Sequence, residues 1–178
     1  MKASIKSALL IGGTVLAAGL AFAYAEGSSD LTTVPSVDLN RYVGQWYEIA
    51  RYPNRFQKQC AGDVTATYTA IGDSKIEVLN SCRNKDGRNE IAKGKARVAD
   101  PNSKARLRVT FFWPFYGDYW IIGLDPEYRW AVVGEPSRKY LWILSRSPQM
   151  DESDYRRAVS IVREKGYDPS KLVLTPQQ

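Results

Sequence analysis

The side chains that most often do chemistry are scarce in this chain. No histidine occurs among its 178 residues, which excludes Ser-His-Asp and Cys-His catalysis and any His-ligated zinc site. The two cysteines, Cys60 and Cys82, lack the CxxC spacing of a redox pair. An enzyme needs a nucleophile or a matched acid–base pair. Once the cysteines are set aside, only Glu48 and the tyrosines remain, and they make neither. The chain is therefore read as a non-enzyme with no cofactor and no metal. What it has in quantity is aromatic surface: 5 Trp, 11 Tyr and 5 Phe. Side chains of that size go into a core or an apolar ligand site.

The first 25 residues read as a secretory signal. Lys2 and Lys6 give a basic start, Ala8 to Leu20 an apolar run, and Ala23-Tyr24-Ala25 a small-x-small cleavage site. Without Lys2 and Lys6, two fewer than 25 basic residues face 19 acids, so the formal charge falls from +6 to +4. That charge suits attraction to anionic head groups at a membrane surface. Lys and Arg are spread along the chain, which argues against nucleic acid. Export puts Cys60 and Cys82 in an oxidising compartment, where a disulfide is expected. No cysteine follows the apolar run to carry a lipid, so the expected product is periplasmic or secreted and not lipid-anchored.

The elements that would position these groups follow from hydropathy. Residues 26–37 are polar, with Gly, Ser and Pro, and read as a flexible leader. The domain proper is expected over 38–178. From Gln45 onward short runs alternate at period two: Val64, Ala66 and Tyr68; Ile76 and Val78; Ala92, Gly94, Ala96 and Val98; Leu107, Val109, Phe111 and Trp113. Gly72-Asp73, Asp86-Gly87 and Asp100-Pro101 turn the chain between them. Later strands, 119–124, 129–134 and 140–145, are apolar on both faces and need a cover. Asp151 to Lys165 supplies it, a helix with Tyr155, Val159 and Val162 on one side and Gly166 just past its end. A short strand, 172–174, is placed beside the first. The reading is an all-β, eight-stranded antiparallel up-and-down barrel with one C-terminal helix outside. A two-sheet sandwich is the rival, disfavoured because it needs Greek-key crossings. Small residues Ala92, Gly94 and Ala96 facing aromatics across the barrel leave room for one small ligand.

Three segments resemble the lipocalins. Gly44-Gln45-Trp46-Tyr47 is similar to the Gly-x-Trp signature at the first strand. Leu124-Asp125-Pro126-Glu127-Tyr128 resembles the second motif, in the turn between the sixth and seventh strands. Leu144-Ser145-Arg146 resembles the third. The match is nearest to the bacterial subgroup that includes apolipoprotein D-like and plant temperature-induced members. The resemblance implies that Gly44, Trp46, Asp125, Tyr128 and Arg146 are structural, with Arg146 stacked on Trp46 at the closed end. If Trp46 points inward, so do Glu48 and Ala50; parity then adds Tyr68, Val109, Phe111, Tyr119, Ile121, Tyr140 and Trp142 to the inner wall. Glu48, an acid on an apolar wall, must meet a partner or water or become neutral, and reads either as a buried structural hydrogen bond or as a polar contact inside the pocket. Arg106 has outward parity and is expected to be a solvated charge. The implied function is carriage or scavenging of a fatty acid, lysophospholipid or similar molecule. A filled-core envelope protein or a lipid-modifying enzyme on the same barrel are the alternatives. The oligomeric state is left open.

Overall fold

Period-two runs become strands wherever one face is buried, and here they do so over nearly the whole chain. The computed structural model describes residues 31–178. A short helix α1 (Leu39–Tyr42) leads into β1 (Gly44–Arg51), followed by β2 (Cys60–Ala70), β3 (Lys75–Asn84), β4 (Asn89–Val98), β5 (Arg106–Phe112), β6 (Phe115–Leu124), β7 (Trp130–Gly134) and β8 (Leu141–Ser145). Helix α2 (Glu152–Glu164) and a two-residue strand β9 (Val173–Leu174) complete the domain. Each strand from β1 to β8 pairs antiparallel with the next, and β8 returns to β1 through Tyr47 opposite Ser145. The sheet is thus a closed up-and-down barrel, and the sandwich is excluded. The last strand pairs with the first, Leu174 opposite Ala50. The expected signal segment lies outside the described residues.

Two apolar layers hold the domain. One lies inside the barrel and includes Trp46, Tyr68, Ile76, Val78, Ala96, Leu107, Ile121 and Leu144. The other lies between the wall and α2 and includes Ile122, Val132, Ile143, Ala158 and Val162. Residues 31–37 are not loose as the polar composition suggested. Leu31 and Val37 are buried, the Val34 N–H donates to the Ile121 carbonyl at 3.0 Å, and the Val37 N–H to that of Ser103 at 2.8 Å. Two apolar residues in a polar run suffice to dock it. In α2 the buried line is Asp154, Ala158 and Val162, with Tyr155 and Val159 at its margin. Asp154 is tolerated there because Arg129 pairs with it at 2.9 Å.

The closed end is built around Trp46, which is fully buried. The Arg146 guanidinium lies 3.8 Å from its ring centroid. The same guanidinium donates to the carbonyls of Gln45, Arg41, Tyr42 and Val43 at 2.7–3.1 Å. The indole N–H of Trp46 donates to the Tyr42 carbonyl at 2.8 Å. Gly44 adopts φ +98°, a left-handed conformation that side chains disfavour, and its position leaves a place for Arg146. The turn after β6 locks the entry from outside. Asp125 accepts from Arg129 at 2.9 Å and from the Glu127 and Arg129 backbone, while the Tyr128 hydroxyl accepts the Asp38 N–H at 2.8 Å. Burial opposes ionisation of Asp125, but its bonds to Arg129 outweigh that and hold the carboxyl below its usual range.

Arg106 is not the free surface charge that parity suggested. It does face outward, but its guanidinium lies 4.4 Å from the Trp120 ring centroid. Outward-facing aromatics on β6 create a partner that alternation alone does not reveal.

Two outcomes follow at the closed end. Arg146→Ala should lower unfolding free energy by about 3 kcal/mol, because four carbonyls lose a charged donor as Trp46 loses its cation. Lys75→Ala, on the exposed wall, should be near neutral. Denaturant melts of both variants check this, and equal midpoints would remove the clamp from the account. Asp125→Asn should destabilise at neutral pH. A depressed folded pKa gives stability that is full above the unfolded pKa and lost as pH falls through the folded one. The gap between variant and wild type should therefore persist through the ordinary carboxylate range and close only below it.

Candidate functional site

With the closed end fixed at Trp46, strand direction places every loop. The segments 52–59, 85–88, 113–114 and 135–140 lie at the opposite end. The interior between is not sealed. Ala66, Val109, Phe111, Tyr119 and Trp142 all pack against the interior layer yet stay partly exposed, so the inner wall is accessible to solvent. Tyr68 and Ile121 are buried deeper. Tyr140 stands just before β8 at the rim, where its ring stacks on Trp142 at 6.1 Å and meets Phe56 at 5.4 Å.

The small residues of β4 do not simply leave space. A Cβ on Gly94 would lie 2.8 Å from the Phe111 ring and 2.7 Å from the Thr110 carbonyl. Phe111 from the neighbouring strand already lies across that glycine. The ligand space is set by the aromatic placement as much as by the absent side chains.

The floor above Trp46 carries three tyrosine hydroxyls. Tyr119 shares hydrogen bonds with Tyr42 at 2.8 Å and Tyr68 at 3.0 Å. Burial pushes the Tyr68 phenol up to about 12 and raises Tyr42 and Tyr119 well above the usual value. All three remain protonated at neutral pH. Two bonds among three hydroxyls use two protons, so one O–H is left to donate to another acceptor.

Nearer the mouth the interior turns polar. Glu48 is buried, and its carboxylate accepts from Arg51 Nη1 at 2.9 Å, from Gln57 Nε2 at 2.6 Å and from the Thr175 hydroxyl. Gln57 in turn accepts from the Trp142 indole at 3.1 Å. Among the buried polar atoms of the described residues that have no protein partner, two bear on the interior: the Nε donor of Arg51 and the Oδ1 acceptor of Asn80, which shares the inward face of Val78.

The expected inward triplet Trp46, Glu48 and Ala50 holds only for its first two members. Opposite β8 the register shifts between Glu48 and Ala50, so Glu48 faces Leu144 and Ala50 faces Ile143. The extra residue of this bulge turns Ala50 outward under α2 and brings Arg51 in. Strict alternation therefore missed Arg51. Gln57 comes from a loop, and Thr175 follows a two-residue strand. Neither carries a periodic signal.

The C-terminal segment is part of the wall. β1 and β2 pair only from Gly44 opposite Tyr68 to Tyr47 opposite Thr65. Above that point the tail fills the seam. The Thr175 N–H donates to the Ile49 carbonyl at 2.9 Å, and the Pro176 carbonyl accepts from the Asp63 N–H at 2.8 Å. The Gln177 amide bridges the carbonyls of Glu48 and Val64 at 2.8 and 2.9 Å. Close by, Cys60 and Cys82 form a disulfide across β2 and β3, as the sequence led one to expect.

A barrel closed in strand order, plugged at one end, open at the other and backed by one helix defines the class of up-and-down barrels that can enclose one small molecule. Comparison with known proteins gives the family. The lipocalin-like domain matches residues 37–177, and the chain belongs to the lipocalin family. It is 44% identical to temperature-induced lipocalin-1 of Arabidopsis thaliana and 41% identical to the outer membrane lipoprotein Blc of Escherichia coli, in each case over 83% of both chains. Identity to mouse (Mus musculus) apolipoprotein D is 31% over 79% of this chain and 77% of that protein. Among solved structures, insecticyanin of the tobacco hornworm Manduca sexta matches with a TM-score of 0.69 at 21% identity, over 84% of this chain and 85% of that one.

Thr175→Val keeps the shape of the seam and removes one donor from Glu48. It should cost about 1–3 kcal/mol, the usual price of an under-satisfied buried acceptor. A matched Ser170→Ala on the exposed surface should cost less than about 0.5 kcal/mol. Calorimetry on the two variants checks the seam, and similar melting points would show that Thr175 only fills space.

Proposed function

We propose that this protein binds and carries, or scavenges, a small hydrophobic ligand in its barrel: a fatty acid, lysophospholipid or similar amphiphile, within the cell envelope. The observation that carries the reading is the unsealed inner wall of Val109, Phe111, Tyr119 and Trp142, which ends at polar atoms lacking a protein partner. An acyl chain along that wall gains about 0.8 kcal/mol per buried methylene. The polar end lies near Arg51, Asn80 and Gln57, toward the mouth. Glu48 holds Arg51 and Gln57 in place and is a ligand contact in the same proposal.

The protein is read as a binding protein and not an enzyme. Glu48, the buried carboxylate of the barrel interior among the described residues, is already engaged by three side chains, and the interior tyrosines are held neutral. Export without a lipid anchor, into the periplasm or the medium, and transient contact with a membrane surface belong to the same reading. Nucleic acid does not. The filled-core alternative has no comparable support, because the interior layer stays partly exposed.

A long-chain fatty acid should quench tryptophan fluorescence in a saturable titration. Trp142→Ala should remove part of that signal and weaken binding by about 2 kcal/mol. Lys75→Ala should bind like wild type. Binding undiminished in both Trp142→Ala and Tyr119→Ala would place the lipid elsewhere. Native mass spectrometry of freshly purified protein with no bound lipid, together with no titratable uptake, would favour the filled-core reading.

A further inference from the structure

The tip of the β5–β6 hairpin is built against solvent exposure. Hairpin tips usually carry Asn, Asp or Gly. This one reads Phe112-Trp113-Pro114-Phe115, and its three aromatics are 80%, 81% and 77% exposed. None packs on the barrel, so they do nothing for the core. They stand at the open end, with Phe56 also exposed across the mouth. Clustered exposed aromatics of this kind mark an interaction surface.

The wall beside the tip is basic. Lys93, Lys95 and Arg97 face outward on β4 and make no ion pair among the described residues. Arg106 and Arg108 face outward on β5; the acids beside the wall are Asp118, 3.8 Å from Arg108, and Glu77, opposite Lys95 on β3. Arg97 and Arg108 both approach the Tyr116 ring, at 5.0 and 5.8 Å. Lys95 lies opposite Thr110, which carries Lys93 to the level of Phe112. The aromatic tip and the cationic wall meet at one corner of the molecule, where Lys93 stands nearest the tip, while Arg97 and Arg106 lie toward the closed end.

We propose that this corner docks the barrel onto an anionic lipid bilayer. The tip enters the acyl boundary, and the β4–β5 wall rests on the head groups. The proposal builds on the ligand-carrier reading and names the surface through which the open mouth would meet its lipid source. Three physical arguments select a bilayer over a protein. Trp and Phe beside Lys and Arg form the pairing that suits a membrane interface, apolar below and charged at the head groups. A self-association face is disfavoured by size: three aromatic side chains give at most about 750 Å², short of the roughly 800 Å² per partner of a stable dimer. Five basic groups against two acids leave the wall net positive, which matches an anionic leaflet, whose attraction for each Lys or Arg near it is additive and salt-sensitive.

The test uses the protein purified after export, without its signal segment, and vesicles of phosphatidylcholine, with and without phosphatidylglycerol. Wild type should float with the phosphatidylglycerol vesicles, less so as salt rises. Brominated acyl chains should quench its fluorescence, and Trp113→Ser should abolish most of that quenching. Phe112→Ser/Trp113→Ser/Phe115→Ser should lose at least about tenfold in partitioning. Lys93→Gln/Lys95→Gln/Arg97→Gln should lose the preference for anionic vesicles. Both triple variants should bind a fatty acid in solution as wild type does. Unchanged partitioning of the aromatic variant would overturn the proposal. So would a dimer in wild type, seen by sedimentation, that the aromatic variant abolishes. Vesicle binding with no fatty-acid uptake would leave the docking surface standing and remove the ligand reading.

Discussion

The barrel depends on how its narrow end is closed. One guanidinium does most of this: Arg146 covers the Trp46 ring and binds four carbonyls where α1 turns into β1. A helix of four residues cannot hold its own end, and its last carbonyls need outside donors. Arg146 supplies them from the end of β8, so the first and last strands of the barrel are joined by the group that satisfies the helix. Lysine, a point charge on a flexible stem, has no planar fork with which to reach several carbonyls at once. Trp46 serves as the plate beneath the cation and also as the ground on which Tyr42 packs at 5.1 Å.

Closure at one end lets the rest of the interior be polar in two separate places. At the floor, three tyrosines share protons and stay neutral. Near the mouth, one carboxylate is met by a guanidinium, an amide and a hydroxyl. Burial of a lone acid on an apolar wall would be costly; here three donors from three parts of the chain offset it. The aromatic wall lies between, with Trp142 as the link, since its ring packs with the interior layer while its N–H reaches Gln57.

The strands, their antiparallel order, the closing pairing of a last short strand and the external helix were legible because each rests on periodicity. So were the inward positions of Trp46, Tyr68, Val109, Phe111, Tyr119, Ile121 and Trp142. Legibility stopped wherever geometry departed from the period. The bulge before Ala50 exchanged that residue for Arg51. Gln57 sits in a loop and Thr175 beyond the final strand, where no repeat exists to reveal direction. Gly94 looked like empty space and proved to be the seat of a neighbour's ring. Arg106 looked solvated because a one-dimensional pattern does not show that Trp120 stands opposite it.

The tail in the seam makes the far end of the chain a structural neighbour of the ligand space. Gln178 still bonds Asp63 through its backbone N–H, and Thr175 three residues earlier reaches the interior carboxylate. Anything fused after Gln178 therefore begins at the barrel wall. A small environment-sensitive dye attached there would report on the mouth from outside without displacing an interior side chain. A bulky tag at the same place would pull on the stave that fills the seam of the barrel.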